Sequence, residues 1–194
     1  MSATQRVSVT QVAATTLSPA VVKIVDVDVN AVRNFLADGM LTIGTVIISA
    51  TATRWKTTTT LAYKIAGIVY TKVATDSSNT VFTTAGTINT GGAASALWGA
   101  WLVQIDATGT FSTKAPGGGT TDQVYASEAL AKAAAIALGP DASNVQVAVI
   151  TIQGLVSTAW VANTGNMTVG GGAGNVTARN FYDIPAPAVL PAAL

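Results

Sequence analysis

Five carboxylates, Asp106, Asp122, Glu128, Asp141 and Asp183, are the side chains in this sequence best placed to do chemistry, because it contains neither histidine nor cysteine. Without those residue types the Ser-His and Cys-His pairs of nucleophile and base cannot be built. A glycosidase-like pair of acids is the remaining familiar route to catalysis. Each of the five falls at an expected turn or helix end, where acidic side chains bend or cap the backbone, and nothing singles out two of them as partners. All five read as structural, and no catalytic residue is expected.

Other candidates for binding resolve in the same direction. Asp26 and Asp28 share one face of an alternating segment and could be offered as calcium ligands, but the spacing and the closing glutamate of an EF-hand are missing. They read as a solvated strand face, and no metal is expected. The runs Gly117-Gly118-Gly119-Thr120-Thr121 and Gly170 to Gly174 lack the Gly-Lys-Ser/Thr signature and the complete dinucleotide pattern. They read as connections, and no cofactor is expected. Among the tryptophans, Trp98 and Trp101 lie in an apolar strand and fill a core or an interface, whereas Trp55, between Arg54 and Lys56, is the better candidate for exposure, with arm docking as its role. Asn166 and Asn175 head glycosylation sequons, which carry no information without a secretory signal.

The elements that position these residues are mostly strands. Val21 to Val29 alternates, with Ile24, Asp26, Asp28 and Asn30 on one face and Val25, Val27 and Val29 on the other. Asn30 to Met40 reads as a short helix, and Leu41 to Thr51 as a strand after the Asp38-Gly39 turn. The clearest hairpin joins Leu61–Ile65 to Ile68–Lys72. A two-residue Ala66-Gly67 turn sets Ile65 opposite Ile68 and Tyr63 opposite Tyr70, while a longer loop shifts that register.

Leu97 to Ile105 is apolar on both faces, with Leu97, Trp101, Val103 and Ile105 on one and Trp98, Ala100 and Leu102 on the other. Asp106-Ala107-Thr108-Gly109 turns it into Thr110 to Thr113. One alanine-rich helix starts near Thr121, Asp122 or Ser127 and ends at Leu138, before Gly139 and Pro140. Val145 to Ile152 is again apolar on both faces, Val176 to Tyr182 follows the second glycine run, and the tail from Ile184 is held extended by its prolines.

These elements predict an α+β fold, mainly β: an antiparallel-rich sheet or sandwich with one Ala-rich helix near 122–138 and an extended N-terminal arm. The expected divisions are an arm or docking segment over 1–54, a β-rich body over 55–184 and a Pro/Ala-rich tail over 185–194.

Composition narrows the function further. Charged residues make up 10% of the chain and hydrophobic ones 49%, with a mean hydropathy of +0.48, against about 25% charged residues in an ordinary soluble domain. Surfaces so weakly charged are expected to be covered by neighbouring subunits. A net charge of +1 offers no basic field for a phosphate backbone, so nucleic acid is not an expected partner. The best apolar run, Thr45 to Ala50, is far short of the roughly 20 residues of a spanning helix, and the first residues lack the apolar core of a signal peptide. No membrane span is expected, and the chain reads as cytosolic when made. The absence of cysteine also removes disulfide and zinc-finger scaffolds.

Several stretches together resemble a known group. KTTTTLAYKIAGIVYTKVAT from Lys56, WLVQIDATGTFS from Trp101, YASEALAKAAAIAL from Tyr125, VQVAVITIQG from Val145 and the closing ANTGNMTVGGGAGNVTARNFYDIP from Ala162 resemble structural proteins of tailed-bacteriophage virions. The resemblance covers roughly Ala50 to Pro185 and is one of pattern. It implies a non-enzymatic protein of the virion, assembled in the host cytoplasm, of the head-decoration, minor-capsid or head-fibre type, with no catalytic residues to carry over. Implied partners are the major capsid protein or other virion proteins and further copies of the chain, a trimer being the leading expectation. A tail-fibre or adhesin-type protein binding host-surface glycans is the alternative.

Overall fold

Leu97 to Ile105, the most apolar strand signal in the sequence, lies at the centre of the fold. The computed structural model describes residues 38–74, 80–84, 86–88, 96–119, 122–156, 158–170 and 176–183. In chain order the strands are β1 (Gly39–Met40), β2 (Val46–Ile48), β3 (Trp55–Thr57), β4 (Leu61–Ile65), β5 (Ile68–Lys72), β6 (Thr87–Ile88), β7 (Trp98–Asp106) and β8 (Phe111–Lys114). The helix α1 (Glu128–Ala137) follows, then β9 (Asn144–Gln153), β10 (Trp160–Val161) and β11 (Ala178–Asp183). The result is α+β and mainly β, with several antiparallel sheets and one helix among the described residues.

The principal sheet has four antiparallel strands in the order β11-β9-β7-β8. One face of β7 and β9 packs Ala100, Leu102 and Val149 against Ala131 and Ala135 of α1. The small alanines let the helix lie close. The opposite face contributes Trp101, Val103, Ile105, Ile150 and Ile152 to the main core, which also takes Met40, Leu61, Tyr63 and Ile65 from the sheet β1-β4-β5. Both strands are therefore buried on two sides, as their unbroken apolar runs require.

A bulge sets the phase of that packing. Val103 pairs with Ala148 but Gln104 pairs with Gln146, so Val147 is an extra residue in β9. Val147 and Ala148 consequently both join the main core, and alternation resumes with Val149 on the helix side. Without the extra residue, the register could not place Val145 and Ile150 on one face.

The two hairpins follow local chemistry. Ile65 pairs with Ile68 and Tyr63 with Tyr70, so the two-residue turn forms, with Ala66 at φ 50° and Gly67 at φ 78°, both in the left-handed region that the twist of such hairpins demands. The tyrosine rings stack with centroids 5.7 Å apart. Between β7 and β8, Gly109 has φ 78° and its N–H donates to the Asp106 carbonyl, while the Asp106 carboxylate accepts from the Thr108 and Thr110 amides.

The helix begins later than its earliest candidates. Gln123 and Tyr125 form bridges, Tyr125 exchanging backbone hydrogen bonds with Trp98, so Ser127 becomes the N-cap, with its hydroxyl accepting from Leu130 N–H. Gly139, at φ 60°, ends the helix as expected.

Residues 38–54 depart from the assignment of 1–54 to an arm. Asp38 accepts hydrogen bonds from the Ala66 and Gly67 amides, β1 pairs with β4, β2 pairs with β3, and Met40 and Val46 are buried in the main core. The body therefore begins by residue 38. Strands of two and three residues carry no readable period, which is why this segment resembled an arm. Gly39 and Met40 form a strand and not the end of a helix, and of the expected strand from Leu41 to Thr51 only Val46–Ile48 forms. Gly44 packs so closely on Leu61 that a Cβ there would stand 2.4 Å from its Cδ2. The alternating segment Val21–Val29, Asp26 and Asp28, and the tail over 185–194 lie outside the described residues.

Candidate functional site

The carboxylates are dispersed, and the fold uses those with assigned partners as acceptors. Glu128, in the first turn of α1, accepts from Thr151 Oγ1 at 2.5 Å, Asn180 Nδ2 at 2.7 Å and the Tyr182 hydroxyl at 2.8 Å, so one oxygen ties the helix to β9 and β11. Lys132, one turn on, places its ammonium 3.6 Å from the centroid of the Tyr182 ring. Asp141, beyond the helix, pairs with Lys114 at 2.9 Å and accepts from Gln104 Nε2, while Gln104 Oε1 accepts the Asp141 amide. Asp106 holds its own turn. Asp183 is the last residue of β11, and its carboxylate accepts from Val46 N–H at 3.1 Å. Asp122 stands just before the Gln123 bridge. No three acids gather into a metal-sized cluster among the described residues.

These hydrogen bonds set the response to acid. Burial pushes the Glu128 carboxyl up, but donors from Thr151, Asn180 and Tyr182 and the Lys132 charge outweigh it and hold the group below its ordinary value. The Thr108 hydroxyl lowers Asp106, and Lys114 with Gln104 lowers Asp141. Asp183 moves the other way, because burial outweighs its bond from Val46.

A carboxyl lowered in the folded state contributes stability that is complete above its unfolded value and is lost as pH falls through its folded value. The raised Asp183 has the opposite sign, favouring the fold more as pH falls. With three groups against one, the melting temperature is expected to fall as pH drops below 4.5, the ordinary glutamate value. Glu128→Gln should lower Tm at pH 7 and flatten this acid limb. An unchanged pH profile in a thermal-shift series would contradict the role given to Glu128.

Among the described aromatic residues, Trp55, Trp101, Trp160 and Phe82 form core and not a platform. Trp55, expected to be exposed, is 0% exposed and meets Phe111 edge to face at 5.4 Å. Its charged neighbours do not bring it to the surface, because alternation along β3 turns Trp55 and Thr57 inward. Trp101, Trp160 and Phe82 pack mutually edge to face, with centroids 5.2 to 6.0 Å apart. Trp98 is half-buried against the helix-side cluster.

The first glycine run is a short turn, with Gly117, Gly118 and Gly119 at φ 74°, 67° and 75°. The Gln123 and Tyr125 bridges separate it from α1, so its amides do not form the start of that helix. Of the second run, only Gly170 lies within the described residues.

Comparison with family models, curated proteins and solved structures finds no match.

Surfaces remain as candidate functional features. Between β2 and β11 an open groove of about 440 Å³ is lined by residues that include Val46, Ile48, Arg179, Phe181 and Asp183. The other notable surface is β5, whose Ile68 and Val69 are each 58% exposed, with Val73 beyond them 74% exposed. The hairpin pattern located β5 but carried no sign that, among the described residues, its outer edge would have no partner strand. No helix among the described residues is long and apolar enough to cross a membrane.

Proposed function

We propose that this chain is a non-enzymatic structural subunit of a tailed-bacteriophage virion that decorates or stabilises the capsid through repeated contacts with itself and with other virion proteins. The observation that carries this reading is the pairing of engaged acids with uncovered apolar strand surface. Glu128, Asp141, Asp106 and Asp183 each hold the fold together, while Ile68, Val69 and Val73 face outward on a chain with net charge +1. Such surfaces associate without strong charge repulsion, and repetition over a lattice multiplies weak contacts into firm attachment. The resemblance of the segments from Lys56 to Pro185 to virion proteins points the same way. The tail-fibre alternative calls for an exposed aromatic groove, and burial of Trp55, Trp101 and Trp160 takes support from it.

Docking is assigned to residues 2–37, since residues 38–54 serve the body. Deleting 2–37 is expected to abolish attachment to particles while preserving the β-rich circular dichroism spectrum. Immunogold imaging of particles produced from the genome that encodes the chain measures this directly. Labelling of heads supports the assignment, labelling of tails favours the adhesin alternative, and no labelling of virions overturns both.

A further inference from the structure

Among the described residues β5 is paired on one side only, with β4. Its two-residue turn makes Ile65 and Ile68 a hydrogen-bonded pair, so by alternation Tyr63 with Tyr70 and Leu61 with Lys72 are bonded as well. Val69 and Thr71 must therefore direct their backbone N–H and C=O groups away from β4. The other side of the sheet agrees, because the Ala62 carbonyl accepts from Leu41 N–H at 2.8 Å, away from β5.

An edge of this kind normally carries several lysines, a proline or a bulge that blocks further pairing. Here the strand is Ile-Val-Tyr-Thr-Lys, with one lysine at its end. The core-facing side of the sheet also runs on past the core: Ile65 is 5% exposed while its cross-strand partner Ile68 is 58% exposed.

We propose that β5 pairs antiparallel with β5 of a second copy of this chain, across a two-fold axis at Tyr70, to make one continuous sheet from two three-stranded ones. A self-pairing contact must be complementary to itself, and this register is. Val69 faces Thr71 of the partner subunit, and Thr71 faces the partner's Val69, so every outward backbone group at these two positions exchanges a hydrogen bond. Ile68 lies beside Lys72 of the partner subunit, which opposes an aliphatic surface to a lysine stem and sets no like charges directly opposite each other. Tyr70 meets the partner's Tyr70 in a close, non-hydrogen-bonded pair, which extends the Tyr63–Tyr70 stack into a ladder of four rings. The contact generates pairs, in place of the trimer expected from the sequence. It goes beyond the virion reading and is tested separately from it.

Because the chain has no cysteine, single thiols report this geometry cleanly. Across the axis two residues at position 70 have Cα atoms about 4.5 Å apart, within the roughly 4.4–6.8 Å that a disulfide bridges. Two residues at position 68 lie roughly 13 Å apart along the strands. Mild oxidation of the full chain should convert Tyr70→Cys into a covalent dimer and leave Ile68→Cys almost wholly uncrosslinked. Thr71→Pro removes an outward N–H that β4 does not use, and should shift the wild-type dimer to monomer in sedimentation velocity with the circular dichroism spectrum retained. Equal crosslinking at positions 68 and 70, a wild-type chain that stays monomeric over a concentration series, or a trimeric mass would each overturn the proposal. Should Thr71→Pro fail to fold, the crosslinking comparison still decides.

Discussion

Trp101→Ala is expected to lower the unfolding free energy by about 3–5 kcal/mol, the usual cost of emptying a buried aromatic site. Trp101 is wholly buried at the middle of β7, with Phe82 5.2 Å and Trp160 5.3 Å from it, both edge to face. The segments that carry those two rings are held by their own hydrogen bonds, Thr83 and Thr84 to Thr113 of β8 and Trp160 paired with Ile88, so the cavity cannot be closed by a small local shift. For a domain of this size each kcal/mol moves the melting temperature by roughly 2–4 °C, which puts the fall on the order of 10 °C. Trp98→Ala, three residues earlier on the half-buried helix side, should cost less. Equal losses from the two variants in urea denaturation would show that the aromatic cluster is not the centre of the core.

Asn163→Ala is the second large effect, and it acts through backbone groups. The Asn163 Oδ1 accepts from Phe82 N–H at 2.8 Å and from Arg54 Nη1 at 2.9 Å, while its Nδ2 donates to the Phe82 carbonyl at 2.7 Å. One amide thus replaces a strand partner for Phe82 and anchors the approach to β3. Alanine leaves the Phe82 groups unpaired, at about 1–3 kcal/mol for a buried group. It also occupies the left-handed backbone at φ 67°, which costs an ordinary residue roughly 1–2 kcal/mol. Partial exposure tempers the first cost, and a loss on the order of 3 kcal/mol is expected from these combined terms. Asn163→Gly removes only the hydrogen bonds and should recover about 1 kcal/mol of that loss. Because Phe82 touches Trp101, the double variant Asn163→Ala with Trp101→Ala should lose less than the two singles together. Strict additivity would mean that the loop and the aromatic cluster are energetically separate.

The acids show how far residue types alone carry a functional reading. The placing of Asp106 in a turn, Glu128 in the first turn of the helix and Asp141 beyond its end was legible, because capping and turn chemistry act within a few residues. The partners were not. Glu128 draws its donors from Thr151, Asn180 and Tyr182, and Asp183 reaches Val46, separations no local pattern encodes. The same difference separates the tryptophans: Trp101 announced its burial through an apolar run, whereas Trp55 is enclosed by Phe111 from a strand far along the chain.

By itself, the sequence determined the two hairpins, the buried character of β7 and β9, and the helix end at Gly139, because turn residues, period-two alternation and capping are set by neighbours in the chain. Only the tertiary structure decided the register of the first hairpin, that residues 38–54 belong to the body, that Val147 bulges, that Trp55 is enclosed and that, among the described residues, β5 is paired on one side only. Apart from that register, each of those outcomes depends on which distant strands pair, and pairing is fixed by the joint burial of surfaces that no short window of sequence contains.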